Sequence, residues 1–144
     1  MERRVLVEMN DTSLKNIIGK LDEHSSSLVV QFTAKWCKPC KSIKELCNSE
    51  YAKLPKEVII AVIDIDDNID LYLFMKRKRM LTGVPTVMAW MRSNCEDDWF
   101  VADRSVTGTD ERELRELFKA VGRNVDPNYG QEEQAKICIV NKDE

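Results

Sequence analysis

The sequence lacks any apolar run approaching the ~20 residues that a membrane-spanning helix needs. Its start, Met1-Glu2-Arg3-Arg4 before only Val5-Leu6-Val7, is too short for the apolar region of a signal peptide. A soluble, untargeted, cytoplasmic chain is therefore expected. There is no basic excess: 22 lysines and arginines stand against 25 aspartates and glutamates. That balance gives no global pull toward nucleic acid or an anionic membrane, so partners are expected to be proteins. The one histidine, His24, lies in the polar turn Asp22-Glu23-His24-Ser25-Ser26-Ser27, where a solvated role outweighs a Cys–His catalytic pairing. The five cysteines are an odd number with two in one short motif, which is no disulfide framework of a secreted protein and suits a reducing compartment.

That motif organises the chain. Trp36-Cys37-Lys38-Pro39-Cys40-Lys41 follows the apolar run Leu28-Val29-Val30-Gln31-Phe32 and precedes a helical pattern carrying Ile43, Leu46, Cys47, Tyr51 and Leu54. Strand, Cys-x-x-Cys, then helix is the context in which two cysteines read as redox chemistry. Cys37 falls at the helix start, where unsatisfied backbone N–H groups favour a thiolate, and is the expected nucleophile. Cys40, one turn on, is placed to attack the mixed disulfide on Cys37 and resolve it. Pro39 has no N–H to lose in a first helical turn and should stiffen the loop. Lys38 adds a cation beside Cys37, with a small expected effect because water screens it.

These residues resemble the thioredoxin family. The likeness rests on Phe32 to Lys41, on Ile63-Asp64-Ile65-Asp66 ending a later strand, on Gly83-Val84-Pro85-Thr86, and on Gly108 before a last helix, in the family's order over about residues 5 to 122. It implies a thiol–disulfide oxidoreductase fold with Pro85 in the cis form beside the dithiol and Gly108 near the active surface. It also implies that the Val84 backbone faces Cys37 and pairs with an extended substrate segment, so that Trp36, Lys38, Val84 and Pro85 share substrate contact. The Trp36 ring is expected beside the disulfide, with plain core burial as the alternative. The chain departs from the family where a buried aspartate and its lysine partner would stand, for Gln31 and Val62 replace them. Glutamine cannot carry a proton near neutral pH, so either the core is simply neutral or exchange is differently tuned.

Elsewhere the plainer readings prevail. Asp11-Thr12-Ser13 offers caps for a helix with Leu14, Ile17, Ile18 and Leu21 on one face. Cys47 reads as a buried structural thiol and Cys95, in a polar loop, as an idle exposed one. Asp64, Asp66, Asp67 and Asp70 read as strand-end and capping residues, so no metal is assigned. Lys76-Arg77-Lys78-Arg79 ends a helix begun at Leu71 and reads as a solvated face, with docking of an acidic partner as the alternative. Arg92 to Asp98 implies a long connection or long strands, running into Trp99-Phe100-Val101-Ala102-Asp103-Arg104-Ser105-Val106. Thr109 is the expected cap of a last helix with Leu114, Leu117, Phe118 and Val121 inward.

The expected architecture is α/β, a central mixed sheet with helices on both faces. It occupies residues 1–122, followed by a polar, mostly disordered tail at 123–144 whose apolar island is Ile137-Cys138-Ile139-Val140. The expected function is a protein-disulfide reductase serving electron transport and cell redox homeostasis. It would bind no cofactor, drawing electrons from an external dithiol or a thioredoxin reductase system, and would be a monomer acting on disulfide-containing proteins. The alternatives are a binding or scaffold protein of spliceosomal or phosducin-like type, and a redox donor dedicated to one client.

Overall fold

The computed structural model describes residues 3–22 and 25–131; His24, Cys138 and the island 137–140 lie outside the described residues. In chain order the elements are β1 (Val5–Leu6), α1 (Asp11–Gly19), β2 (Ser27–Thr33), α2 (Lys38–Ser42), α3 (Lys44–Lys53), β3 (Val58–Asp64), α4 (Ile69–Arg77), β4 (Thr86–Trp90), β5 (Arg104–Thr107) and α5 (Glu111–Val125).

The sheet order is β1-β3-β2-β4-β5. Strand β2 sits at its centre, parallel to β3 and antiparallel to β4, which is where an uninterrupted apolar run belongs. Alternation along β2 splits the core in two. Leu28, Val30 and Phe32 join Leu14 and Ile18 of α1 and Leu71 and Met75 of α4 on one face. Val29 joins Cys47 and Tyr51 of α3 and Leu114, Leu117, Phe118 and Val121 of α5 on the other. Each such large side chain contributes about 1.5–3 kcal/mol by leaving water. The mixed α/β sandwich expected from the sequence is the fold observed.

Three local expectations are corrected, and one left open, long connection or long strands after Arg92, is resolved. Helix α1 is capped by Asn10, whose Oδ1 accepts the Ser13 N–H at 2.8 Å while Ser13 Oγ accepts the Asn10 N–H at 2.9 Å. Asn10 has the extended backbone a cap requires, whereas Asp11 is already helical. Likewise Asp110, not Thr109, caps α5, taking the Glu113 N–H at 3.1 Å.

The stretch after Arg92 is a long connection, and β5 is only Arg104–Thr107. Trp99 and Phe100 leave the ladder because they bury elsewhere: Trp99 stacks on Phe74 of α4 at 5.5 Å and Phe100 meets both rings edge-on. Lys78, from the basic helix end, lies 5.2 Å over the Phe100 ring.

Finally, α5 continues past Gly122 to Val125. Asn124 explains the extension: its side-chain amide donates to Ser27 Oγ at 2.8 Å and Met91 O at 2.9 Å, tying the helix end to β2 and the exit of β4. Tyr129 then folds its ring over Gly122, where any Cβ would collide with it.

Candidate functional site

Strand β2 ends at Thr33, and Ala34-Lys35-Trp36 turn the chain into α2. Cys37 is the N-cap of α2, with Pro39 at its second position. Cys37 and Cys40 are joined in a disulfide with Cα atoms 5.3 Å apart. The Cys37 sulfur accepts the Cys40 backbone N–H at 3.2 Å. A donor aimed at that sulfur favours its anionic form, so the capping geometry lowers the cost of a thiolate on Cys37 after reduction.

The second wall comes from a distant part of the chain. The Val84–Pro85 peptide is cis. Cys37 Sγ lies 3.7 Å from the Val84 carbonyl oxygen. Thr86 Oγ1 donates to Gly83 O at 2.7 Å, and the Gly108 N–H donates to Pro85 O at 2.9 Å, so both sides of the turn are pinned. Gly108 has φ +108°, a backbone that side-chain-bearing residues rarely adopt. The structure thus brings Cys37, Cys40, Val84, Pro85 and Gly108 together.

Trp36 is not core: it is 66 % exposed, and its indole N–H donates to Asp66 Oδ2 at 2.8 Å. That bond fixes the ring on the surface between the dithiol loop and the β3–α4 turn. Lys38 is exposed beside it, while both cysteines are buried on the protein side, at 4 % and 3 % exposure. Asp66 is therefore a site residue whose partner sequence reasoning missed. Asp64 accepts the Asp66 N–H at 2.9 Å, and Asp70 lies in the first turn of α4.

Behind the dithiol, Gln31 and Val62 are register partners across β2 and β3. Tyr51 donates its hydroxyl to Gln31 Oε1 at 2.6 Å, so the buried amide is satisfied without any ion. Burial pushes the Tyr51 hydroxyl well above its ordinary range, with Cys47 adding to the effect. Burial likewise pushes the Cys47 thiol up from 9.0 to about 11.

A neutral Cys47 has two measurable consequences. In native protein near pH 8, iodoacetamide should label exposed Cys95 and leave Cys47 until denaturant is added. Because the folded thiol holds its proton more tightly than the unfolded one, its stabilising effect is complete below pH 9. It is lost as pH rises to about 11, a fall of about 2 kcal/mol in unfolding free energy. Cys47→Ala should remove that part of the alkaline loss in urea titrations; an unchanged slope between those pH values would refute the assignment.

Among the described residues no helix is long and apolar enough to cross a membrane, and no cluster of His, Cys, Asp or Glu could hold a metal ion.

Comparison with known proteins agrees with this geometry. The family model described as Thioredoxin matches residues 5–119. Mitochondrial thioredoxin of Bos taurus is 35% identical over 92 residues, 64% of this chain and 49% of that protein. Thioredoxin 3 of Plasmodium falciparum is 24% identical over 119 residues, 83% of this chain and 61% of that one. The chain thus spans about half the length of the first of these relatives and about three fifths of the second. Among solved structures, Malassezia sympodialis thioredoxin superposes with a TM-score of 0.62 at 19% identity, covering 85% of this chain and 96% of that one. With the family model matched over 115 of 144 residues and the dithiol closed at a helix start, the chain belongs to the thioredoxin family.

Proposed function

We propose that this chain is a thiol–disulfide oxidoreductase that reduces disulfides of other proteins. The observation that carries the reading is the Cys37–Cys40 disulfide at the start of α2, with Cys37 Sγ facing the Val84 carbonyl. The Cys37 thiolate attacks a substrate disulfide, forming a mixed disulfide and releasing one substrate thiol. Cys40 then attacks Cys37 Sγ, and the second substrate thiol leaves with the electron pair. The Val84 backbone, beside Pro85, offers hydrogen bonds to an extended substrate segment, while exposed Trp36 and Lys38 border the approach. Pro39 and Gly108 shape the two walls, and Gln31 keeps the floor neutral.

The two electrons reside in the dithiol, so the exchange calls for no bound cofactor. An external dithiol or a thioredoxin reductase system returns them, and a monomer suffices as the working unit. A reducing compartment suits this reading, and both the cytoplasm and the mitochondrial matrix qualify, the bovine relative being named mitochondrial. A scaffold role is not favoured, because it gives no reason for two thiols placed to close a ring.

The test is the equilibrium oxidation of Cys37 and Cys40 across dithiothreitol or glutathione redox series, read by mass after thiol trapping, with Cys37→Ser as control. A potential near ~−270 mV is expected for a reductase, and one near ~−180 mV would instead indicate an isomerase or oxidant. If no Cys37–Cys40 disulfide forms anywhere in the range, the oxidoreductase reading fails.

A further inference from the structure

Resolution of the mixed disulfide needs Cys40 as a thiolate, yet Cys40 is 3 % exposed. Its proton needs a way out on the protein side. A cavity of about 410 Å³ opens there, bounded by Cys40 itself, by Gln31 and Thr33 of β2 and by Val62 and Asp64 of β3. It has room for several waters. The register explains its lining: Gln31 faces Val62 and Thr33 faces Asp64, and residues two apart on one strand share a side of the sheet.

The groups around this cavity differ in what they can accept. Gln31 does not titrate, and its carbonyl oxygen is taken by the Tyr51 hydroxyl at 2.6 Å. Tyr51 and Cys47, on the α3 side, keep their protons near neutral pH because burial disfavours their anions. Lys35, Lys41 and Lys44 at the rim are exposed cations, which stabilise an anion but accept nothing while charged. Asp66, in the adjoining turn, is bonded to the Trp36 indole. Asp64 is the one carboxylate that lines the cavity among the described residues. It is half-buried, and only its Oδ1 is used, by the Asp66 N–H.

We propose that Asp64 receives, through water in this cavity, the proton that Cys40 sheds when it resolves the mixed disulfide on Cys37. The inference rests on the oxidoreductase reading and extends it. The Cys40 Sγ–H proton passes to water and on to the Asp64 carboxylate, and the Cys40 thiolate attacks Cys37 Sγ. The Cys37–Cys40 bond forms, the bond from Cys37 to the substrate sulfur breaks, and the departing thiolate carries the electron pair and takes a proton from solvent. The substrate disulfide is the oxidant, the dithiol is the reductant, and the Asp64 proton returns to bulk water through the cavity mouth.

The experiment mixes reduced full-length protein with glutathione disulfide, quenches in acid at short times, and separates two species by peptide mass spectrometry. These are the Cys37–glutathione mixed disulfide and the Cys37–Cys40 disulfide, so neither Cys47 nor Cys95 confuses the readout. Asp64→Asn is expected to leave the first step unchanged and to slow the second about fivefold or more near pH 7, the scale of a lost proton acceptor acting through water. The slowed step should climb more steeply with pH than in the unmodified protein. Added formate, small enough to enter the cavity, should restore part of the rate, and Asp64→Glu should retain most of it.

A resolving step that is unchanged or faster in Asp64→Asn overturns the proposal, since faster is what removing a negative charge near a forming thiolate does by itself. Equal slowing of both steps also overturns it, placing the effect in the fold. Failure of the unmodified protein to form either the Cys37 mixed disulfide or the Cys37–Cys40 disulfide would sink the oxidoreductase reading beneath it, an outcome distinct from the other two.

Discussion

Cys37→Ser is expected to lower disulfide reduction by at least about a thousandfold, because a serine hydroxyl supplies almost no oxyanion near neutral pH while the thiolate is the attacking species. Cys40→Ser should behave differently. The first attack survives, the mixed disulfide on Cys37 persists because nothing resolves it, and multiple turnover stops. The pair separates the two roles proposed for the cysteines. Cys37 caps α2 and lies 3.7 Å from the Val84 carbonyl, on the side where a substrate strand can lie, whereas Cys40 is enclosed behind it. Insulin reduction followed by turbidity reads the loss of turnover. Mass spectrometry after non-reducing trapping reads the persistent adduct. Should Cys40→Ser form no adduct while Cys37→Ser does, the assignment of nucleophile and resolving thiol is reversed. Should both variants reduce insulin as well as the unmodified protein, the dithiol is not the working group.

Much of this site was legible in the sequence because its signals are short-range. Leu28 to Phe32 could be placed at the sheet centre from its unbroken apolarity, and once β2 ends at Thr33 the cysteines must fall at the next helix start. The opposite wall was legible through Gly83-Val84-Pro85-Thr86 only by family likeness, since nothing local says that this turn meets Cys37. The mistakes have a common origin. Asn10 and Asp110 each adjoin other capping residues, and only the backbone angles decide which one caps. For Trp99 and Phe100 the sequence left connection and strand open, because their burial against Phe74 is a long-range preference that no local window contains. The sequence suggests a domain boundary after Gly122, whereas the missing side chain there serves the ring of Tyr129. The cavity behind Cys40 and the bond from Tyr51 to Gln31 also depend on how α3 lies on the sheet. A hint existed in the pairing of an unusual buried glutamine with a tyrosine on the inward face of the following helix.

The same packing bears on how the floor of the site is held, and Phe118→Ala is the variant expected to damage it most. Phe118 is fully buried on α5, and its ring meets Tyr51 edge-on at 5.4 Å and 81°. Truncation removes transfer free energy and leaves a cavity between α5 and α3, a loss of about 3–5 kcal/mol. That is a large share of the ~5–15 kcal/mol that stabilises a typical domain. Urea unfolding should show a lower midpoint with an unchanged slope. Tyr51→Phe keeps the ring and removes only the hydroxyl, stranding Gln31 Oε1 at a cost of about 1–3 kcal/mol. Because Tyr51 touches both Phe118 and Gln31, the double variant should lose less than the sum of the two, since a Tyr51 freed by Phe118→Ala no longer holds its bond to Gln31 firmly. Strict additivity would mean that α5 supports the sheet but not the floor of the site. A loss below about 1 kcal/mol for Phe118→Ala, against the cost usual for a fully buried ring, would mean that α5 lies outside the cooperative core altogether.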